Sequence, residues 1–201
     1  HSGTILSNTA DGAEVRRSRT GLNGYLKRLT QAKRRRDDDD ILGRLIRHDD
    51  LTDDEIAAMG MLLLIAGHET TANMTALSVL ALLRNPDQLR RLRADPGLIR
   101  GAVEELLRYL TIVHTVLPRV ATEDVEIGGR TIRAGDGVLC MVNSANRDAA
   151  AFADPGVLDL DRDARRHLAF GFGGHQCLGQ PLARFPAEFR EGMAARADIL
   201  G

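Results

Sequence analysis

The sequence has few cysteines, almost no net charge and no long apolar segment. Its two cysteines, Cys140 and Cys177, lack the spacing of a disulfide framework or a zinc knuckle, so a reduced, cytoplasmic setting is expected. The 27 basic and 28 acidic residues leave a net charge of -1, which gives no reason to expect a nucleic acid or an anionic membrane as a partner. The most apolar run, Met59–Gly67, is too short to cross a bilayer, and no signal peptide is visible.

Cys177 lies near the end of a glycine-rich stretch, residues 170–179, which we call the cysteine loop. Glycines permit positive φ angles and let the backbone approach a flat ligand without a Cβ in the way. A helix that starts just after Cys177 would direct its positive dipole end at the sulfur and favour the metal-binding thiolate. A lone cysteine near glycines is otherwise a buried structural residue in a tight turn. A single buried thiolate suits the axial position of haem iron, whereas zinc or an iron–sulfur cluster requires several ligands.

A long helix is predicted upstream of this loop. Thr52 and Glu55 have the spacing of a capping box, and no helix breaker follows before Asn85. The helix is apolar nearly all round between Ile56 and Ala66, which predicts that it is central and buried.

Polar residues interrupt this helix in the sequence Ala-Gly-His-Glu-Thr-Thr, residues 66–71. A carboxylate and two hydroxyls after a glycine are poor for local helix stability. We expect the Thr70 hydroxyl to bond the Ala66 carbonyl and Gly67 to let the helix open. Taken alone, the segment is best interpreted as a kink with satisfied polar groups.

Three motifs, in order, resemble those of the cytochrome P450 family. Residues 66–71 resemble its Ala-Gly-x-Glu/Asp-Thr oxygen-activation motif, and Glu105-Leu-Leu-Arg108 resembles its Glu-x-x-Arg motif. The cysteine loop resembles its Phe-x-x-Gly-x-His-x-Cys-x-Gly haem loop. The resemblance covers about residues 13–185.

The resemblance implies roles for individual residues. Cys177 would ligate the iron of haem b, Thr70 would hydrogen-bond dioxygen, and Glu69 would feed the proton relay. The implied cofactor-binding residues are Ala66, Arg119, Phe170, Gly171, His175 and Gly179, with Arg119 and His175 as partners of the haem propionates. Glu105, Arg108 and Arg162 would form a structural triad beneath the haem.

The expected fold is mainly α with a small β portion (α+β), a cytochrome P450 fold that is incomplete at its N-terminal side. Residues 1–201 would be the C-terminal part of one such domain, with these parts: a long central helix about 53–84, the Glu-x-x-Arg helix about 96–110, a β-hairpin region about 112–142, and the meander and haem loop about 146–179. Gly128-Gly129 predicts the hairpin turn. Residues 138–142 read as a buried strand in which Cys140 is a small apolar filler.

The implied activity is that of a haem-thiolate monooxygenase, which hydroxylates or epoxidises a small organic substrate with O₂. Electrons would come from a ferredoxin and an NAD(P)H-dependent reductase, as in the soluble bacterial type. Substrate contacts are expected in two places, on the long helix at Leu62, Ile65 and Ala66, and after the Glu-x-x-Arg helix at Thr115 and Val116.

Two departures from the family pattern leave alternatives open. The chain begins with His1 and has nothing equivalent to the family's first half, and Phe185-Pro186 replaces the continuation of a long helix. We therefore expect that the chain alone is not a working monooxygenase. The alternatives are a truncated, non-catalytic remnant and a helical zinc or interaction module that uses Cys177 and His175.

Overall fold

The computed structural model describes residues 11–36, 38–48, 50–115 and 117–184. The chain divides into two compact units, residues 1–72 and 73–201. Helices dominate the described residues and the strands are short, so the predicted mainly α fold with a small β portion is confirmed. Two predicted features, the Val116 substrate contact and the Phe185-Pro186 break, lie outside the described residues.

The first unit contains helix α1 (Gly12–Lys33), helix α2 (Ile41–Ile46) and the first part of helix α3 (Asp53–Arg84). The predicted capping box is present at the start of α3. The Thr52 N–H donates to Glu55 Oε2 at 2.8 Å, and the Glu55 N–H donates to Thr52 Oγ1 at 3.3 Å. These two bonds satisfy donors that have no partner within the helix, which fixes where α3 begins.

Helix α3 is buried on one face only in this unit. Ala57 packs with Leu22 and Leu26 of α1 in a small apolar core. Leu62 and Leu64 are 55% and 44% exposed, so the prediction of burial all round is wrong for this chain. The reason is geometric, because α1 covers one side of α3 and a helix that is apolar all round needs neighbours on every side.

The second unit contains the end of α3, helix α4 (Pro86–Ala94), a 3₁₀ turn (Pro96–Leu98) and helix α5 (Ile99–Leu110). The predicted helix about 96–110 is therefore a 3₁₀ turn followed by an α-helix. The core of this second unit is formed by the end of α3, by α4, by α5 and by the irregular chain that follows residue 146. The buried members of this core are Ala81, Leu82, Leu92, Ala102, Leu106, Leu158 and Leu160.

Among the described residues of this unit, four short strands form two antiparallel pairs. They are β1 (Arg119–Val120), β2 (Val125–Ile127), β3 (Arg130–Ile132) and β4 (Gly137–Val138). β1 pairs with β4, and β2 pairs with β3 across the predicted Gly128-Gly129 turn. Both turn glycines have positive φ, +58° and +73°, as a tight hairpin requires.

The predicted buried strand over residues 138–142 is wrong. β4 ends at Val138, Cys140 is exposed, and Val142 begins the short helix α6 (Val142–Ala145). A two-residue strand pair has too little surface to bury both of its faces, so an apolar run here does not become an interior strand. The last described helix is α7 (Gln180–Ala183).

No helix in the described part of the chain combines the length and apolar character needed to span a bilayer.

Candidate functional site

The cysteine loop is closed by backbone hydrogen bonds between its two ends. The Cys177 N–H donates to the Phe170 carbonyl at 2.9 Å. Within the loop, the Gln176 N–H donates to the Gly173 carbonyl at 3.0 Å. These bonds place the cysteine at a defined position beside the start of the loop.

Two glycines give the loop its shape. Gly171 and Gly173 have φ angles of +70° and +86°, a region that side chains other than glycine rarely adopt. A Cβ built on either residue, or on Gly174, meets no atom within 4 Å apart from its immediate chain neighbours. The requirement for glycine here is therefore conformational at Gly171 and Gly173, and the loop is open on the sides where those Cβ atoms would lie.

The Cys177 side chain is exposed, which contradicts the expectation of a buried sulfur. The following helix α7 begins at Gln180, whose N–H donates to the Cys177 carbonyl at 3.2 Å. A Cβ on Gly179 would lie 3.8 Å from the Cys177 sulfur, which is ordinary van der Waals contact. The sulfur therefore lies on the surface of the loop, accessible to a ligand.

The cysteine loop carries two exposed apolar side chains. Phe172 and Leu178 are 87% and 69% exposed. In the described ranges, no three His, Cys, Asp or Glu side chains are grouped so that they could hold a metal ion. An open glycine loop with one accessible thiol and exposed apolar side chains fits a large, flat, apolar cofactor that needs a single axial ligand.

The two predicted propionate partners are both accessible. Arg119 is exposed on β1, where it lies opposite Val138 of β4. His175 is exposed within the cysteine loop.

The predicted oxygen-activation residues lie on α3. The Thr70 hydroxyl donates to the Ala66 carbonyl at 2.6 Å, as expected from the sequence. The helix continues through Gly67 without interruption, so the expected opening is not observed. The bond to Ala66 uses the Thr70 proton and leaves the hydroxyl oxygen as an acceptor.

Glu105 and Arg108 form a fully buried ion pair on α5. Both side chains have 0% exposure. Arg108 Nε and Nη2 donate to the two carboxylate oxygens of Glu105 at 2.7 and 2.8 Å, which is the bidentate geometry of a strong pair. Arg108 Nη1 donates to the carbonyls of Asn146 and Pro155 at 2.8 and 2.9 Å. Arg108 therefore ties α5 to the irregular segment, residues 146–168.

Arg162 completes the predicted triad. Its Nε donates to Glu105 Oε1 at 3.2 Å, and its guanidinium also reaches the Ala153 and Asp154 carbonyls. The structure thus brings Glu105, Arg108 and Arg162 together, although they are up to 57 residues apart.

Asn146 is a buried polar residue that sequence analysis gave no role. Its Nδ2 donates to Thr111 Oγ1 at 2.9 Å, and its Oδ1 accepts from the Leu168 N–H at 2.7 Å. Asn146 thereby connects the end of α5 to the residues that immediately precede the cysteine loop. No local sequence signal marks it, because both partners are more than 20 residues away.

A second network joins α5 to both ends of the cysteine loop. We call it the Glu104 network, comprising Glu104, His167, Phe170 and Arg184. His167 Nε2 lies 3.1 Å from Glu104 Oε2, and Arg184 Nη2 donates to the same oxygen at 2.9 Å. The Arg184 guanidinium lies 5.0 Å above the centre of the Phe170 ring. None of these contacts was predicted from the sequence.

The ionisation of Glu104 reflects this environment. Burial raises the pKa of Glu104, but the hydrogen bonds from His167 and Arg184 outweigh it and leave the pKa below its ordinary value. Glu104 is therefore an anion in the neutral range, held by donors on two sides.

A cleft of about 1000 Å³ opens between α5 and the chain from Arg162 to Arg184. Glu104, His167, Phe170 and Arg184 all contribute to its lining, but Cys177 does not. The cleft is thus adjacent to the cysteine loop and separate from the thiol.

Comparison with known proteins identifies the relatives of this chain. Residues 14–188 match the family described as Cytochrome P450. The chain is 66% identical over 180 residues to cytochrome P450-SU2 of Streptomyces griseolus, which covers 90% of this chain and 45% of that protein. It is 49% identical over 183 residues to the 20-oxo-5-O-mycaminosyltylactone 23-monooxygenase of Streptomyces fradiae, covering 89% of this chain and 43% of that protein.

Solved structures give the same result for the fold. Cytochrome P450 MoxA from Nonomuraea recticatena superposes with a TM-score of 0.84 at 46% sequence identity, over 98% of this chain and 49% of that structure. The chain spans about half the length of the curated relatives it matches.

Proposed function

Because the chain belongs to the cytochrome P450 family, we propose that it forms the haem-binding part of a monooxygenase. The reaction inserts one atom of O₂ into a small organic substrate and reduces the other to water. The observation that carries this proposal is the accessible thiol of Cys177, which is held on an open glycine loop by the bond from its N–H to the Phe170 carbonyl. The printed name of the Streptomyces fradiae relative, a monooxygenase, supports the reaction class.

Haem b is the proposed cofactor, and it supplies the oxygen-activating chemistry when bound. Cys177 would provide its thiolate ligand, and Phe170, Gly171 and Gly179 would shape the backbone around that ligand. The positive φ of Gly171 supports this role, because it keeps the loop open where a flat ring must approach.

Two cationic side chains would hold the acidic edge of the cofactor. Arg119 presents a planar fork of donors that matches a carboxylate. His175 would be the second partner. The exposure of both side chains leaves them accessible to a propionate.

On α3, beside Ala66, Thr70 would hydrogen-bond dioxygen and Glu69 would supply protons to the relay. The Thr70 hydroxyl is oriented by its bond to the Ala66 carbonyl, so its oxygen can accept a hydrogen bond from a water molecule. A water molecule that donates to this oxygen would be held in place to pass on a proton, and general acid catalysis by a positioned group contributes about 10²–10⁴-fold to a rate.

Glu105, Arg108 and Arg162 have a proposed structural role. Their buried contacts fasten residues 146–162 to α5, and this segment leads into the cysteine loop. Rigid support of this kind is what a ligand-presenting loop requires.

The proposed electron donor is a ferredoxin with an NAD(P)H-dependent reductase, and the proposed setting is the bacterial cytoplasm, in keeping with the bacterial relatives. Substrate contacts are proposed at Leu62, Ile65 and Ala66 on α3 and at Thr115 and Val116. Leu62 supports this because it is an exposed apolar side chain on that helix.

The two cysteines provide a matched test, because both are exposed. The protein is reconstituted with haem, both alone and co-expressed with the part of cytochrome P450-SU2 that this chain does not match. Its reduced carbon monoxide complex is then recorded by absorption spectroscopy. Cys140→Ala should keep the red-shifted Soret band of thiolate ligation, and Cys177→Ala should lose it. The opposite pattern, or no such band in the unaltered protein, would contradict the proposal.

A further inference from the structure

The Glu104 network holds the cysteine loop from both sides. His167 lies three residues before Phe170, and Arg184 lies at the end of the short helix that follows the loop. Both bond the same carboxylate on α5, across sequence separations of 63 and 80 residues. The loop is therefore bounded by two side chains that share one anchor.

We propose that Glu104 is a positioning residue that keeps the cysteine loop in the conformation that presents the Cys177 sulfur. This inference rests on the proposed function, since it assigns Glu104 to the haem-ligand loop. Glu104 acts through His167 and Arg184 and has no contact with the cofactor in this assignment.

The His167 ring makes the first of the two connections. Its side chain has 0% exposure, and its Nδ1 accepts from the Ala169 N–H at 3.0 Å. Because Nδ1 accepts this bond, Nε2 is the ring nitrogen that donates to Glu104. The ring also packs against Phe170, with centroids 5.6 Å apart. Glu104 thus fixes the backbone at residue 169 and the aromatic side chain that begins the loop.

Arg184 makes the second connection. Its Nη2 donates a hydrogen bond to Glu104 Oε2 at 2.9 Å, and its Nε lies 2.6 Å from Oε1 in an ion-pair contact that lacks hydrogen-bond geometry. The same guanidinium lies over the Phe170 ring. Arginine suits this position because its planar fork can pair with a carboxylate and lie over an aromatic face at once.

The network is separate from the buried triad. Glu104 and Glu105 are consecutive on α5, and consecutive helical residues point about 100° apart, at 3.6 residues per turn. Glu105 faces Arg108, Arg162 and the Asp159 N–H, whereas Glu104 faces His167 and Arg184. Loss of Glu104 should therefore loosen the loop and leave the triad in place.

Amide hydrogen exchange tests whether Glu104 holds the cysteine loop, and it needs no cofactor. In Glu104→Gln the amides of Ala169 and Cys177 should exchange about tenfold faster than in the unaltered chain, because a charge-assisted bond at each end of the loop is weakened. The matched control is Asp161→Asn, which removes an exposed ion pair elsewhere in the unit. In that pair Arg91 Nη2 lies 2.6 Å from Asp161 Oδ2. Equal exchange at the two amides in Glu104→Gln and in the unaltered chain would overturn the proposal.

The haem complex gives a spectroscopic test. The share of the reduced carbon monoxide complex with the red-shifted Soret band should fall in Glu104→Gln and stay unchanged in Asp161→Asn. Arg184→Lys keeps the charge but loses the planar guanidinium that bonds Glu104 and lies over Phe170, so it should change the spectrum in the same direction by less. An unaltered band in both Glu104→Gln and Arg184→Lys would overturn the proposal.

Two further outcomes separate the possible failures. Loss of helical circular dichroism in both Glu104→Gln and Arg184→Lys would overturn the proposal in favour of a general structural role. A protein without the red-shifted band in its unaltered form would overturn the proposed function itself. The exchange rates would then still decide whether Glu104 holds the loop.

Discussion

Arg108 is the side chain whose loss should cost this protein the most stability. It is fully buried, pairs with the fully buried Glu105 through two bonds, and donates to the carbonyls of Asn146 and Pro155. Its guanidinium also lies 5.3 Å from the centre of the Phe152 ring. Replacement by methionine keeps much of the apolar stem and removes all of these donors.

The magnitude follows from what Arg108→Met leaves behind. Breaking a buried ion pair costs about 3–5 kcal/mol, because the remaining charge has no adequate partner. Glu105 keeps Arg162 and the Asp159 N–H, which offsets part of that cost. Two carbonyls also lose their donors, and each buried acceptor left unpaired costs about 1–3 kcal/mol. Since these terms are not additive, we expect a loss of about 4 kcal/mol, a large fraction of the 5–15 kcal/mol typical of folded proteins.

Urea unfolding followed by far-UV circular dichroism measures this loss. The control is Arg91→Met, because Arg91 is 42% exposed and its pair with Asp161 should contribute less than about 1 kcal/mol. The double variant Glu105→Leu with Arg108→Met removes both charges and should recover part of the stability that Arg108→Met loses. Equal unfolding midpoints for Arg108→Met and Arg91→Met would refute the reasoning from burial.

Three other predictions concern the loop, its anchor and the helix. Gly173→Ala should lower the free energy of unfolding by about 1 kcal/mol, because a Cβ at φ +86° is strained, whereas Gly174→Ala, without a positive φ, should not; urea midpoints would show whether the two differ. Since the folded-state pKa of Glu104 lies below its ordinary value, its contribution is present above the unfolded pKa of about 4.3 and is lost as pH falls through the folded pKa. The unaltered chain should therefore lose more stability than Glu104→Gln on acidification below that value, and parallel curves would contradict this. If the proposed function holds, Thr70→Ala in the chain complemented with the unmatched part of cytochrome P450-SU2 should keep haem but form less product and more hydrogen peroxide per NAD(P)H consumed. Unchanged coupling would limit Thr70 to its bond with Ala66.

Local chemistry in the sequence predicted the local features of the fold. The capping box at Thr52 and the glycine pair at 128–129 specify a helix start and a hairpin turn through bonds and φ angles within a few residues. The Thr70 bond to Ala66 is likewise one helical turn long. Such features need no knowledge of the rest of the chain.

Burial could not be predicted in the same way. Cys140 lies in an apolar run and is nevertheless exposed, and Leu62 is exposed on a helix that is apolar nearly all round. Apolar composition shows only that a residue can be buried, and burial depends on which other segments cover it. The contacts of Glu104 and Asn146 were missed for a related reason, since their partners are between 22 and 80 residues away and no period in the sequence encodes them.

Helix α5 explains why two neighbouring acidic residues have different roles. Glu105 is buried and faces the irregular segment, so its two oxygens are used by Arg108, Arg162 and a backbone N–H. Glu104 is half-buried and faces the cleft, so its oxygens are used by His167 and Arg184. A single rigid helix turn therefore fixes both the segment that leads to the cysteine loop and the two ends of the loop itself. Because the two carboxylates bond different partners among the described residues, substitutions at Glu104 and Glu105 should separate a loop-positioning effect, seen in loop exchange, from a folding effect, seen in global stability.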